Sequence, residues 1–293
     1  MRATLRAILL AWVLLASLPA LAAHAADRLT VTWHPLRPRV GDVAWVHVRG
    51  VPDSAVITGS VGDRSLLFFP YDGGQAALVG LDLEVKPGLL GWRVAVQEPG
   101  RAPRLAEGSV PVGRRDFTVQ RLTLPTGMVD LDPETERRAV SETERMQALY
   151  GTVTPERLWR GVFTRPVAGT EPGSGFGSRR VINGKPRSPH TGIDYSAERG
   201  TPVVAVNAGR VALLGDFFFP GRLVILDHGL GLYTLYFHLD TVAVSDDERV
   251  ERGQTVGTVG ATGRATGPHL HFGAHMGGAR IDPAVLLDLR LPE

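Results

Sequence analysis

The 293-residue sequence contains no cysteine, so neither a disulfide framework nor a lipid-modified amino-terminal cysteine is available to it. Its stability must come from packing. Lysine is almost absent, with Lys86 and Lys185 the two examples. The remaining basic residues are scattered arginines, which reads as a composition bias and not as a phosphate-binding design. Charge of one sign is also lacking. The formal charge is +2 overall, and without Arg2 and Arg6 the chain counts 30 basic and 30 acidic residues. That balance argues against a nucleic-acid binder working through an overall positive field. Long hydrophobic runs are missing too: Ala7 to Leu18 gives an apolar stretch of about twelve residues, short of the roughly 20 that a membrane-spanning helix needs.

That stretch has a different meaning in context. It follows a positive segment, Met1 to Arg6, and precedes Ala23-His24-Ala25, a small-residue A-x-A pattern. The arrangement is that of a secretory signal peptide over residues 1–25, cleaved after Ala25. The expected location is therefore exported, in the periplasm or cell envelope, with membrane contact only during export.

The rest of the chain divides by texture and is expected to be mainly β. Residues 26–124 hold short apolar runs separated by Gly, Pro and Asp: Leu29 to Trp33, Val43 to Val48, Ser65 to Phe69, Ala76 to Leu83, Trp92 to Val96 and Phe117 to Leu122. This spacing predicts an Ig-like β-sandwich, an accessory domain with no reactive constellation. His47 alternates with Val46 and Val48, which places it on the polar face of a strand. Residues 125–159 read as a helical linker. Asp132 as N-cap, Pro133 at the first helical position, early acids and Gly151 at the end predict one helix of about five turns. Thr154-Pro155-Glu156 repeats the start signal for a shorter helix. Residues 160–293 return to strands, at Val203 to Val206, Arg210 to Leu214, Leu223 to Asp227, Tyr233 to His238, Thr255 to Val259 and His269 to Ala274, which predicts an antiparallel sheet.

This last segment carries the chemistry. His190-x-x-x-Asp194, Tyr236-Phe-His238-Leu and His269-Leu-His271 lie within roughly eighty residues. In an extended strand His269 and His271 point to the same face, because side chains alternate with period two. A catalytic zinc takes three His, Asp or Glu ligands and leaves a fourth position for water. The five residues exceed that need, and by themselves they leave open which three bind metal. A lone histidine is more often structural, but three linked motifs reverse that weighting. His228, in the Gly-punctuated Asp227 to Gly231, reads as part of a turn. His275 shares the strand parity of His271, although Gly273, Gly277 and Gly278 weaken the case for a regular continuation.

The segments Asn183 to Ser196, Leu235 to Leu239 and Gly267 to Phe272 resemble the lysostaphin/LytM-type zinc metalloendopeptidases, which cut peptide bridges in bacterial peptidoglycan. The resemblance covers about residues 160–289. It implies that one zinc ion per chain is held by His190, Asp194 and His271, that His238 and His269 are the nonligand catalytic pair, and that the substrate is a peptidoglycan cross-link or stem peptide. Peptidoglycan peptides are the implied partners, with no nucleic acid, and with cell-wall or divisome proteins as further candidates. Two other classes compete. A catalytically silent wall-binding regulator of cell-wall amidases would usually lack part of the metal site, and all five positions are present. Gly253 to Gly260 also resembles part of a biotinyl/lipoyl carrier, but such a carrier needs a lysine, and none follows Lys185. A segment beginning near Trp159 is expected to fold and work without the residues before it.

Overall fold

A computed structural model describes residues 29–291 apart from 53 and 174; the signal-peptide reading lies outside the described residues. The first half contains β1 (Thr30–His34), β2 (Val43–Arg49), β3 (Val56–Val61), β4 (Arg64–Ser65), β5 (Phe68–Tyr71), β6 (Gly74–Gly80), β7 (Gly88–Gln97) and β8 (Arg104–Val112). They form two four-stranded antiparallel sheets, ordered β1-β2-β6-β5 and β4-β3-β7-β8. Ala44, Val46, Ala77 and Val79 from one sheet meet Val61, Val110 and Val112 from the other, which is the core of a sandwich. Strands β3 and β8 escape the sequence reading because their apolar residues are interrupted by Gly, Ser, Glu and Pro.

Strand β2 is buried along nearly its whole length, which a strand with one solvated face cannot be. Ala44 and Val46 face the sandwich core. Val43 and Trp45 face the opposite way and join Phe69 and Leu78 in a second cluster with Trp159, Phe163, Met276 and Ala279. The sandwich and the carboxy-terminal half therefore share a hydrophobic core. His47 lies on this inner side and is 1% exposed, so its expected polar face is an interior one. It is held by Arg49 Nε, which donates to Nδ1 at 3.3 Å, and its Nε2 lies 3.3 Å from the Tyr71 carbonyl.

Next come β9 (Val119–Leu122), α1 (Pro133–Tyr150), β10 (Arg179–Ile182) and β11 (Lys185–Arg187). The run containing β9 was expected within the sandwich, yet β9 pairs in parallel with β10 in a separate three-stranded sheet. Asn183 and Gly184, with φ of 50° and 76°, close the two-residue β10–β11 turn in the left-handed conformation such hairpins require.

Helix α1 forms as its end signals predict: Asp132 Oδ1 accepts from the backbone N–H groups of Glu134 and Thr135, each at 3.0 Å. Its apolar stripe ends in Met146, Leu149 and Tyr150, which pack on Leu213, Phe217, Tyr233, Leu235 and Phe237. No helix follows at Thr154–Glu156. Here an extended segment lies along the 227–232 turn, with Thr154 Oγ1 bonded to Asp227 at 2.5 Å and the Leu158 N–H to His228 O at 2.9 Å. Tertiary partners take the backbone groups that a helix would have used.

The remaining elements are β12 (Gly192–Tyr195), β13 (Pro202–Val204), β14 (Gly209–Phe217), β15 (Gly221–Asp227), β16 (Leu232–Val242), β17 (Arg249–Val250), β18 (Thr255–Val259), β19 (Leu270–Met276), β20 (Ala279–Ile281) and α2 (Pro283–Leu287). They build a nine-stranded antiparallel sheet around the order β12-β19-β16-β15-β14-β17. Leu270, Phe272 and Ala274 point into the core with Val224, Leu226 and Tyr236. The alternate residues of β19 point to the other face, the one α1 covers. Polar links also join the two halves: Arg280 grips Asp82 at 2.7 and 3.0 Å, and Arg115 bridges Asp42 and Asp282.

Candidate metal centre

Strand pairing assembles the centre. In the antiparallel register of β12 and β19, Asp194 lies directly opposite His271, which brings a carboxylate and an imidazole to one face. His190 precedes β12 and is pinned by its backbone: its N–H donates to Ser178 O at 2.9 Å, and its carbonyl accepts from the Gly177 N–H at 2.7 Å. A Cβ on Gly175 would stand 2.6 Å from His190 Nδ1, and one on Gly192 would stand 2.7 Å from His271 Nε2. These two glycines make room for the rings.

Three donor atoms converge. His190 Nε2 lies 2.8 Å from His271 Nδ1 and 3.1 Å from Asp194 Oδ1, and His271 Nδ1 lies 3.0 Å from Asp194 Oδ1. Two imidazole nitrogens and a carboxylate oxygen at such separations suit a zinc-sized cation with bonds of about 2.0–2.2 Å. Electrostatics favour the same state. Burial alone would raise the Asp194 pKa, but hydrogen bonds from His190 and His271 overcome it and hold the carboxyl well below the usual range. Burial lowers the His271 pKa to about 4, so the ring is neutral at neutral pH, and a metal bound at Nδ1 would take the place of the proton that this atom shares with its neighbours Asp194 and His190.

His238 and His269 stand beside this cluster, their ring centroids 4.8 Å apart, and His269 Nε2 is 4.0 Å from Asp194 Oδ1. Alternation along β16 would send His238 to the face opposite Phe237. Its left-handed backbone, φ 63°, reverses this, so that Phe237 stacks on His271 while His238 reaches His269. Such a conformation costs a non-glycine residue about 1–2 kcal/mol. The bond from the His238 N–H to Pro220 O, 2.8 Å, helps hold it. His238 Nδ1 lies 2.8 Å from Thr262 O and His269 Nδ1 lies 2.8 Å from Gly267 O. A carbonyl can only accept, so both Nδ1 atoms carry the proton and both Nε2 atoms present lone pairs. Burial, followed by the neighbouring His271 and His269, lowers the His238 pKa to about 3.

The other histidines are elsewhere. His228 is buried in the 227–232 turn, with Nδ1 2.7 Å from Ala208 O and Nε2 2.7 Å from Thr234 Oγ1. Strand β19 continues regularly to Met276 despite Gly273, and His275 stacks on Tyr150 of α1 with centroids 4.0 Å apart. A cavity of about 860 Å³ begins beside the cluster at Thr191 and Phe237 and runs between Tyr150 and the Leu66 and Leu90 side chains of the sandwich. Nothing in the sequence marked the sandwich and helix as walls of this space, because their contribution depends on tertiary packing.

A two-histidine, one-aspartate cluster with an adjoining histidine pair on an antiparallel sheet fits a metal-dependent hydrolase. Residues 188–283 match the model of Peptidase family M23. A solved structure described as a peptidase M23 of Pseudomonas aeruginosa is 30% identical, covers 86% of this chain and 95% of that one, and superimposes with a TM-score of 0.67. The chain belongs to peptidase family M23, as the LytM-type motifs implied. Among curated relatives, the DD-carboxypeptidase/endopeptidase Mpg of Neisseria meningitidis serogroup B is 42% identical over 104 residues, 36% of this chain and 24% of that protein. The peptidoglycan DD-endopeptidase ShyC of Vibrio cholerae is 40% identical over 112 residues, 38% of this chain and 26% of that protein. The chain thus spans about a quarter of the length of these curated relatives.

Proposed function

We propose that the chain is an exported zinc metalloendopeptidase that hydrolyses peptide bonds in peptidoglycan cross-links or stem peptides, acting in the periplasm or cell envelope. The observation that carries this reading is the convergence of His190 Nε2, Asp194 Oδ1 and His271 Nδ1 next to two imidazoles whose Nε2 lone pairs are free. The names of the relatives support the substrate, and the Met1–Ala25 pattern supports export. The assignment comprises a signal peptide at 1–25, an accessory sandwich at 26–124, a helical linker at 125–159 and the peptidase domain at 160–293. A silent amidase regulator is the weaker reading, since such proteins usually lack part of the metal site.

His190, Asp194 and His271 would hold one zinc ion, which when bound supplies Lewis-acid polarisation of a carbonyl and acidifies a water to a pKa of about 7. His238 and His269 accept the two O–H groups of the attacking water at their Nε2 atoms, which orients its oxygen toward the scissile carbonyl carbon. One of the two rings takes the proton as the carbon–oxygen bond forms. The same ring then donates it from Nε2 to the departing amine as the carbon–nitrogen bond breaks. The backbone carbonyls of Thr262 and Gly267 retain the Nδ1 protons and stabilise whichever ring becomes cationic. Mass spectrometry of muropeptides after digestion by the purified chain tests the proposal. Expected products carry new amine and carboxylate termini within the peptide moiety and an intact glycan. Intact muropeptides after exposure to fully zinc-loaded protein would refute it.

A further inference from the structure

Two arginines beside the metal centre make no close ion pair with a carboxylate among the described residues. Arg180 lies on β10, two residues beyond the Ser178 carbonyl that anchors His190, and it is half-buried. Its register neighbours are Gln120 on β9 and Arg187 on β11, so a like charge stands directly across the antiparallel pair, an arrangement that destabilises a sheet. Its side-chain hydrogen bond is a long one, from Nε to Gln120 Oε1 at 3.4 Å. Arg264 approaches from the loop between β18 and β19. Its N–H donates to Phe219 O at 3.0 Å, and its half-buried guanidinium is stacked over the Phe219 ring at 4.1 Å.

Neither Arg180 nor Arg264 has an ion-pair partner among the described residues. Arg187 differs, because it reaches Val129 O at 3.2 Å and Asp130 at 3.6 Å. All three interact through space: burial first, then the charges of Arg180 and Arg187, lower the Arg264 pKa. Arg180 is also close enough to Asp194 and His271 for its charge to act on both. Half-burying two guanidiniums that lack a close ion pair within each other's field costs stability, which the attraction of Asp194 for Arg180 offsets in part, and the stack on Phe219 keeps Arg264 from swinging into water. An incoming carboxylate would remove the repulsion and gain charge-assisted, geometrically specific hydrogen bonds.

We propose that Arg180 and Arg264 form a carboxylate clamp at the mouth of the metal centre, which binds a free carboxylate of the peptide substrate and so selects the bond presented for cleavage. The clamp rests on the peptidase reading for its place in the reaction, but its binding is measurable separately. The probes are a cross-linked stem-peptide dimer with free carboxylates and the same dimer with those groups as carboxamides. Titration calorimetry of the metal-stripped full chain measures both affinities without turnover. The wild-type chain should prefer the free-carboxylate dimer by about tenfold to a hundredfold. Arg180→Gln or Arg264→Gln should each reduce the preference, and the double variant should bring it near one while its thermal stability stays equal or rises. A purely structural role predicts the opposite stability change and equal weakening toward both dimers. That result, a wild-type ratio near one, or a preference retained in the double variant would overturn the clamp. Hydrolysis by the zinc-loaded chain is followed in parallel. If neither dimer is cut while the binding preference persists, the peptidase reading fails and the clamp stands.

Discussion

The shared core between the sandwich and the peptidase sheet makes Phe69→Ala a direct test of how the two halves are coupled. Phe69 is 4% exposed on β5. Its ring meets Trp159 edge-on with centroids 5.6 Å apart, and the Arg157 guanidinium lies 4.9 Å from its centre. Removing a buried phenylalanine side chain costs about 3–5 kcal/mol, of which the edge-to-face pair accounts for roughly 0.5–1.5 kcal/mol. For a chain of this size each kcal/mol lowers the melting temperature by about 2–4 °C, so a fall of roughly 6–20 °C is expected. If the core is shared, both halves must move together. Thermal unfolding should be followed by tryptophan fluorescence, which reports Trp33, Trp45 and Trp92 of the sandwich and Trp159 at the boundary, and separately by zinc release to a chromophoric chelator. Both curves should shift down by the same amount. An unmoved zinc-release curve, with only an early fluorescence transition displaced, would refute the coupling. The same reasoning runs against a self-sufficient segment starting near Trp159: that segment would leave Trp159 without Phe69, Trp45 and Leu78 and would strip Tyr150 from His275.

Three further outcomes are expected. His190→Ala, Asp194→Ala and His271→Ala should each lose the single zinc by metal analysis, and full occupancy in all three would sink the assignment. His238→Ala and His269→Ala should retain most zinc while turnover drops on the order of 10²-fold or more; metal loss equal to that of His271→Ala would mean a ligand and a base have been exchanged. Buried His228 has its pKa lowered from 6.5 to about 4 by desolvation, so between these values the unfolded chain binds a proton that the folded chain refuses. Stability should therefore fall as the pH drops through that window, by up to about 3 kcal/mol from this group. Urea unfolding at pH 7 and pH 4.5 checks this, and a pH-dependent loss as large in His228→Gln would rule out His228 as its source.

Much of the centre was legible because its residues sit on strands with simple parity. His269 and His271 share a face by period two, and the motifs named all five groups. Helix α1 was legible from Asp132, Pro133 and Gly151, whose effects are local. What the sequence concealed depends on distant partners. The positive φ of His238 is held by a loop carbonyl at Pro220, and no local pattern announces it. The Thr154 start signal was overridden when Asp227 and His228 took the backbone and hydroxyl partners. The alternation of His47 with valines was read correctly as a strand, but its face is an interior one because Trp45, Arg49 and Tyr71 of the same sheet enclose the ring.

The placement of the histidines also explains why the first half of the chain is packed so closely. A sheet normally buries one face and solvates the other, or buries both with apolar residues. Here the outer face of β19 carries His271 and His275, and β12 adds Asp194, so this face cannot close over itself without removing the centre from substrate. Apolar residues of the same face, Leu235 and Phe237, nevertheless need cover. Helix α1 covers the part furthest from the metal cluster, and the sandwich edge at Leu66 and Leu90 stands off from the sheet across the 860 Å³ cavity. The accessory elements thus shield the apolar part of the face, and the cavity approaches the metal cluster at Thr191 and the buried Phe237. Their effect on activity should follow from the shape of that trough, so enlarging Leu90 to Trp should impair turnover of a cross-linked peptide more than that of a short one. Equal turnover of both by the variant would show that substrates do not enter the trough.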